Sequence, residues 1–137
     1  ENVKDIRFLI PGGISASEDG GCVQRGSLVL LPHHSDFYHP DLVAASDAVV
    51  GKLGYSTLAE AYTAALPFAF VARQNFPETP PMARFAKTMM GAVELSEARF
   101  FSGDWLDLLA DLLSRPGKKP ALPNGGADIA RFLLSLE

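Results

Sequence analysis

The segment from Gly51 to Glu60, GKLGYSTLAE, places one cation, two aliphatic hydroxyls and one carboxylate close together in the chain. Gly51 and Gly54 would let the backbone turn sharply and come close to a ligand. Ser56 and Thr57 stand where a helix begins, so free amides and the positive end of the helix dipole would favour an anion there. Lys52 would add a full positive charge. This chemistry suits the phosphates of a small ligand. The spacing is not that of a P-loop, where the lysine follows the second glycine and directly precedes Ser or Thr. GYSTL also lacks the closing glycine of a nucleophile elbow. A plainer account fits the same residues: Thr57-x-x-Glu60 is the pattern of a capping box, with Glu60 reaching back to the Thr57 amide. Spacing alone leaves both readings open.

A second concentration of polar chemistry is PHHSDFYHPD, with His33, His34, Asp36, His39 and Asp41. These are metal-ligating types, but the fixed helix or knuckle spacings of tetrahedral sites are absent, so no metal is expected. A polar loop at a strand end is the simpler reading. Arg73 reads either as a ligand contact or as a solvated loop residue. Trp105 falls on an apolar stripe and belongs to a core, and Met89 and Met90 read as packing residues. Asp128 suits the first turn of a helix through the dipole alone.

Four short apolar runs would position these residues: RFLIP at 7–11, LVLLP at 28–32, DAVVG at 47–51 and FAFVA at 68–72. None alternates with polar residues, so each reads as a strand buried on both faces, which implies a parallel sheet covered by helices. Pro40 and Asp41 open a helix over PDLVAAS. Thr57 to Ala65 reads as a second helix, stopping before Pro67. PMARFAKTMMGA puts Met82, Phe85, Ala86 and Met89 on one face ahead of Gly91. In GDWLDLLADLLS, Trp105, Leu108, Leu109, Leu112 and Leu113 form one buried stripe. RPGKKPALP is a polar connector, after which Asn124 starts a last helix with Ile129, Phe132, Leu133 and Leu136 on one side. The alternation favours an α/β doubly wound domain in which a single sheet holds all four runs. In such a sheet ligands bind beyond the carboxyl ends of the strands, which is where the segment after DAVV lies. The five glycines from Gly12 to Gly26 suggest a mobile loop.

The 137 residues suit one domain, and 47% hydrophobic with 20% charged residues is the balance of a folded chain. A net charge of -4 without a Lys/Arg cluster argues against nucleic-acid binding. Cys22 is the single cysteine, so no intrachain disulfide forms, and a reducing, cytoplasmic setting is expected. No apolar run has the length of a membrane span. The first residue is Glu1 and nothing there reads as a signal peptide, as expected of part of a longer protein.

The run GKLGYSTLAEAYTAALPFAFV resembles the signature of the C-terminal domain of GT-B glycosyltransferases. These include bacterial lipid-intermediate N-acetylglucosaminyl transferases and plant-type UDP-sugar transferases. The shared pattern is a basic residue, one residue, Gly, Ser/Thr, Glu on the helix and Gly/Ala-x-Pro before the next strand. The chain is similar, more closely, to the glycosyltransferase-like region of plant L-arabinokinases. That similarity runs through HPDLVAASDAVVGKLGYSTLAEA, LPFAFVARQNFPE, ARFFSGDW and NGGADIARFLL, with IRFLIPGG a weaker match.

The resemblance implies a Rossmann-like parallel sheet with helices on both faces, one half of a GT-B fold. Residues 1–137 would be a single domain, the C-terminal donor-binding half of a longer protein. Lys52, Gly54, Ser56 and Thr57 would face the diphosphate of a nucleotide sugar, with UDP the expected nucleotide. Glu60 would accept from the ribose hydroxyls, and Phe37, Tyr38 and His39 would lie by the base. Gly12 and Gly13 would line the phosphate side from the first strand, and Arg73 and Glu78 would approach the sugar. RQNFPETPP stands where many such transferases carry an Asp-Gln pair, so the resemblance names no sugar. The acceptor site and general base would belong to an N-terminal acceptor domain outside this chain, so it names no catalytic residue either. No metal or other cofactor is implied. Two alternatives stand beside the transferase: a non-catalytic nucleotide- or sugar-binding module attached to a sugar kinase, and a structural domain whose Gly51 segment holds nothing.

Overall fold

The structure, a computed structural model, describes residues 6–15, 21–34, 36–120 and 125–136. The chain divides into two units, Glu1–Tyr38 and His39–Glu137. In the first, strands β1 (Phe8–Ile14), β2 (Val23–Arg25) and β3 (Leu28–Pro32) form a sheet of order β1-β3-β2. β1 runs parallel to β3, with Ile10 opposite Leu30. β2 is antiparallel to β3, and Arg25 faces Leu28 across a tight turn at Gly26 and Ser27. The expected Gly12–Gly26 loop is therefore partly strand: β1 continues to Ile14 and β2 fills Val23–Arg25. Leu30 and Leu31 are buried, but Leu9, Ile10 and Leu28 are exposed, contrary to the expectation of burial on both faces. The reason is that no helix lies within this unit among the described residues.

The second unit is an α/β layer. Strands β4 (Val49–Lys52), β5 (Phe68–Val71) and β6 (Val93–Leu95) form an all-parallel sheet of order β4-β5-β6. The four apolar runs are thus shared between two sheets instead of one, and β2 and β6 are additional to them. Alternation along the central strand explains how helices cover both faces. Phe68 and Phe70 point into a cluster with Leu53, with Leu58 and Ala61 of α2 (Tyr55–Thr63), and with Met82 of α3 (Thr79–Phe85). Ala69 and Val71 point the other way, into a cluster with Leu95, Trp105, Leu108 and Leu112. All four β5 residues are buried, which is why this run shows no polar alternation.

Between β5 and β6, α3 passes into a π-helical turn at Ala86–Met90 that ends at Gly91 with φ 68°. The wider turn shifts the buried face from the expected Met89 to Met90, so Met82, Ala86 and Met90 are the core residues. After β6, Ser96 caps α4 (Glu97–Ser102), accepting from the Arg99 amide at 3.2 Å. A 3-10 turn at Leu106–Leu108 leads into α5 (Leu109–Ser114). Leu109 and Leu112 of the expected stripe are buried, whereas Leu113 is exposed. Trp105 stacks on Phe100 and donates its indole N–H to the Phe100 carbonyl at 3.2 Å. α1 (His39–Ala44) begins beside Pro40 as expected, and α6 (Gly126–Leu134) closes the fold with Ile129, Phe132 and Leu133 exposed. Asn124, the expected start of α6, lies outside the described residues.

Candidate functional site

β4 ends at Lys52, opposite Val71 of β5, so the next residues emerge at the carboxyl edge of the parallel sheet. Leu53 ties that exit down: its amide donates to the Val71 carbonyl at 2.9 Å, and its side chain is fully buried among the core residues. Lys52, the last residue of β4, and Gly54 are thereby held at the carboxyl edge of the sheet. Lys52 is exposed and has no ion-pair partner among the described residues.

α2 starts at Tyr55, two residues before the expected Thr57, because Gly54 is its N-cap in an extended conformation (φ -141°, ψ 157°). The Gly54 carbonyl accepts from the Leu58 amide at 2.9 Å, the first bond of the helix. The amides of Tyr55, Ser56 and Thr57 precede it and have no intrahelical acceptor, and Gly54 has no side chain to offer one. This overturns the capping box. Thr57 is a helical residue, not the cap, and the Glu60 carboxylate turns to another helix: its Oε2 lies 2.7 Å from His39 Nδ1 at the start of α1. Ser56, Thr57 and Glu60 share a face of α2, since positions three and four apart are neighbours on a helix.

The glycines differ from expectation. Gly51 is a strand residue paired with Phe70, and neither it nor Gly54 has positive φ, so neither makes a sharp turn. A Cβ at either position would meet nothing within 4 Å. The surface at the α2 N-terminus is therefore open, and the absence of side chains there is not a packing requirement.

The remaining candidates divide between the units. Arg73 and Glu78 follow β5 in the second unit. The Arg73 guanidinium lies over the Phe76 ring, 4.1 Å from its centroid, a cation–π contact that holds it against its own loop. Glu78 is exposed at the N-cap position of α3 and its side chain makes no cap bond. The neighbouring Thr79 is buried and its hydroxyl has no partner among the described residues. Gly12, Gly13, Phe37 and Tyr38 belong to the first unit. There Gly12 has φ +72°, and a Cβ on it would come within 3.2 Å of the His33 ring, so packing already accounts for that glycine. A Cβ on Gly13 would press on Ile10 and Leu30. Phe37 and Tyr38 are exposed. The histidines of PHHSDFYHPD are used separately, His33 against Gly12 and His39 on Glu60, and no group of three or more acidic, histidine or cysteine residues converges among the described residues.

Leu53 and Thr79 are the residues that sequence reasoning missed. The first had a signal, a single leucine between two residues of a polar, glycine-rich segment. The second had none, because a threonine at the start of a helix reads as a cap.

The second unit thus presents free amides and a lysine suited to an anion, and a carboxylate suited to hydroxyl groups. No helix among the described residues is long and apolar enough to cross a membrane. The chain is similar to an L-arabinokinase of Arabidopsis thaliana, with 36% identity over 101 residues. The aligned part is 72% of this chain and 9% of that protein, so the chain corresponds to a small part of its relative. No family model matches the chain. No solved structure matches it either.

Proposed function

We propose that the chain binds a nucleotide sugar, with UDP as the nucleotide, and forms the donor-binding half of a glycosyltransferase-like protein. The observation that carries this reading is the open N-terminus of α2 beside Lys52, with Glu60 on the same helix face as Ser56 and Thr57. One helical turn rises about 5.4 Å, which suits a diphosphate at the helix end and a ribose one turn below. The amides and Lys52 stabilise the charge that builds on a leaving diphosphate, an electrostatic contribution that needs no metal. Gly54 brings the backbone to the phosphates, and Arg73 and Glu78 at the next strand end face the sugar. His39, at the start of α1, stands on the nucleotide side. The acceptor and the general base come from a separate N-terminal domain, so this chain alone does not transfer sugar.

A second reading is favoured by the similarity to an L-arabinokinase. In it the same nucleotide-sugar site serves as a non-catalytic module attached to a sugar kinase, since a fold does not fix an activity. Both readings require nucleotide binding. Calorimetry of the chain with UDP, GDP, ADP and uridine tests it: UDP binds best among the diphosphates and clearly better than uridine. Failure of all three diphosphates to bind would overturn both readings and leave a structural domain.

A further inference from the structure

We propose that His39 is a positioning residue for Glu60, holding its carboxylate in the orientation that accepts a ribose diol and so selecting ribonucleotides over deoxyribonucleotides. The inference rests on the ribose reading of Glu60. It starts from the 2.7 Å contact between His39 Nδ1 and Glu60 Oε2. A carboxylate only accepts, so the imidazole donates from Nδ1, which fixes both the ring orientation and the nitrogen that carries the proton.

The surroundings favour this role. Glu60 is the sheltered partner, with 18% of its side chain exposed against 48% for His39. His39 is the first residue of α1, followed by Pro40 with its fixed φ, and α1 is anchored through buried Val43. The imidazole is therefore set by a helix, whereas a glutamate held by nothing would exchange among rotamers. No other described residue bonds the Glu60 side chain. A carboxylate offers about four lone-pair sites and His39 takes one on Oε2. Oε1 and the rest of Oε2 remain for two vicinal hydroxyls. Bidentate acceptance demands a fixed carboxylate plane, so the ordering cost met in advance by His39 appears as affinity for a diol and not for its deoxygenated analogue. This duty differs from lying by the base, which would not distinguish the two sugars.

The test is calorimetry of UDP and 2′,3′-dideoxy-UDP against the unchanged chain, His39→Ala and His39→Gln, with a thermal melt of each. The unchanged chain should bind UDP at least about tenfold more tightly than the dideoxy compound, which lacks both hydroxyls that the carboxylate accepts from. His39→Ala should cut that ratio to about threefold or less by weakening UDP alone. His39→Gln, whose amide can still donate, should restore part of the ratio, and the melts should agree. A full ratio in His39→Ala overturns the inference and leaves the ribose reading standing. Equal losses for both ligands overturn it too, since they indicate a contact with the base or support of the fold. If the unchanged chain binds both compounds alike, the ribose reading itself falls and the inference with it.

Discussion

Leu53 bonds through its backbone to Val71 at 2.9 Å while its side chain is fully buried, and this joins the end of one parallel strand to the next at the place where the candidate site begins. Removing most of that side chain leaves a cavity under Lys52 and Gly54. Leu53→Ala should cost about 2–5 kcal/mol of stability, the usual range for a buried leucine. Met82→Ala, in the same cluster but on α3, is the control for lost packing. Compared at a temperature where both are folded, Leu53→Ala should weaken UDP binding further than Met82→Ala. Equal affinities would show that Leu53 supports the core and not the site.

Lys52 is exposed and unpaired among the described residues, so its substitution should be nearly silent in a melt. Its charge should matter to phosphates alone. Lys52→Ala should lower UDP affinity roughly three- to tenfold, the size of one exposed charge-assisted contact, and leave uridine affinity unchanged. Equal losses for UDP and uridine would mean that the lysine only supports the segment.

Gly54 offers a sharper separation of stability from binding. Its extended backbone suits a capping side chain, and a Cβ there meets nothing within 4 Å. Gly54→Asp should satisfy a free amide and complement the dipole, raising stability by about 0.3–1 kcal/mol. The same carboxylate occupies the ground proposed for the diphosphate and repels it, so UDP binding should be lost. A variant that is both more stable and binds UDP normally would place the ligand elsewhere.

α2 ends in a Schellman arrangement: the Leu66 amide donates to the Ala61 carbonyl at 3.0 Å and the Ala65 amide to Tyr62 at 3.1 Å. The left-handed position is held by Ala65 with φ 56°, where glycine is the usual residue. Ala65→Gly should relieve about 1–2 kcal/mol of steric cost and give back part of it as chain entropy, a net gain of about 0.5–1 kcal/mol. A melt reads this directly, and UDP affinity should not change, because the strain lies at the opposite end of α2 from the open amides.

The core of the second unit was legible because its apolar runs are uninterrupted. Phe68 to Val71 face two covered sides, and a strand so placed has no polar residue to hide. The first unit is the reverse case: RFLIP looks equally apolar, yet Leu9 and Ile10 are exposed. A run of apolar residues reports composition, and only the partner elements decide burial. β2 and β6 are not legible in the sequence because strands as short as Val23–Arg25 and Val93–Leu95 carry too few side chains to show a period. In the candidate site, Lys52, Ser56, Thr57 and Glu60 could be singled out by type and spacing. The partner of Glu60 could not. The capping box is a local pattern, and its competitor His39 is 21 residues away, reached only because α1 packs beside α2.

The central claim is that Glu60 accepts from the ribose of a bound nucleotide, and titration of UDP against the unchanged chain and Glu60→Gln tests it most directly. Glutamine keeps the size of the side chain but removes the charge and replaces one acceptor with a donor. Glu60 makes no capping bond, so the melts should differ little. The account predicts roughly a tenfold loss of UDP affinity, the equivalent of about 1.4 kcal/mol. Unchanged affinity in a folded Glu60→Gln chain would contradict it, leaving the glutamate as a tether between α1 and α2 and nothing more.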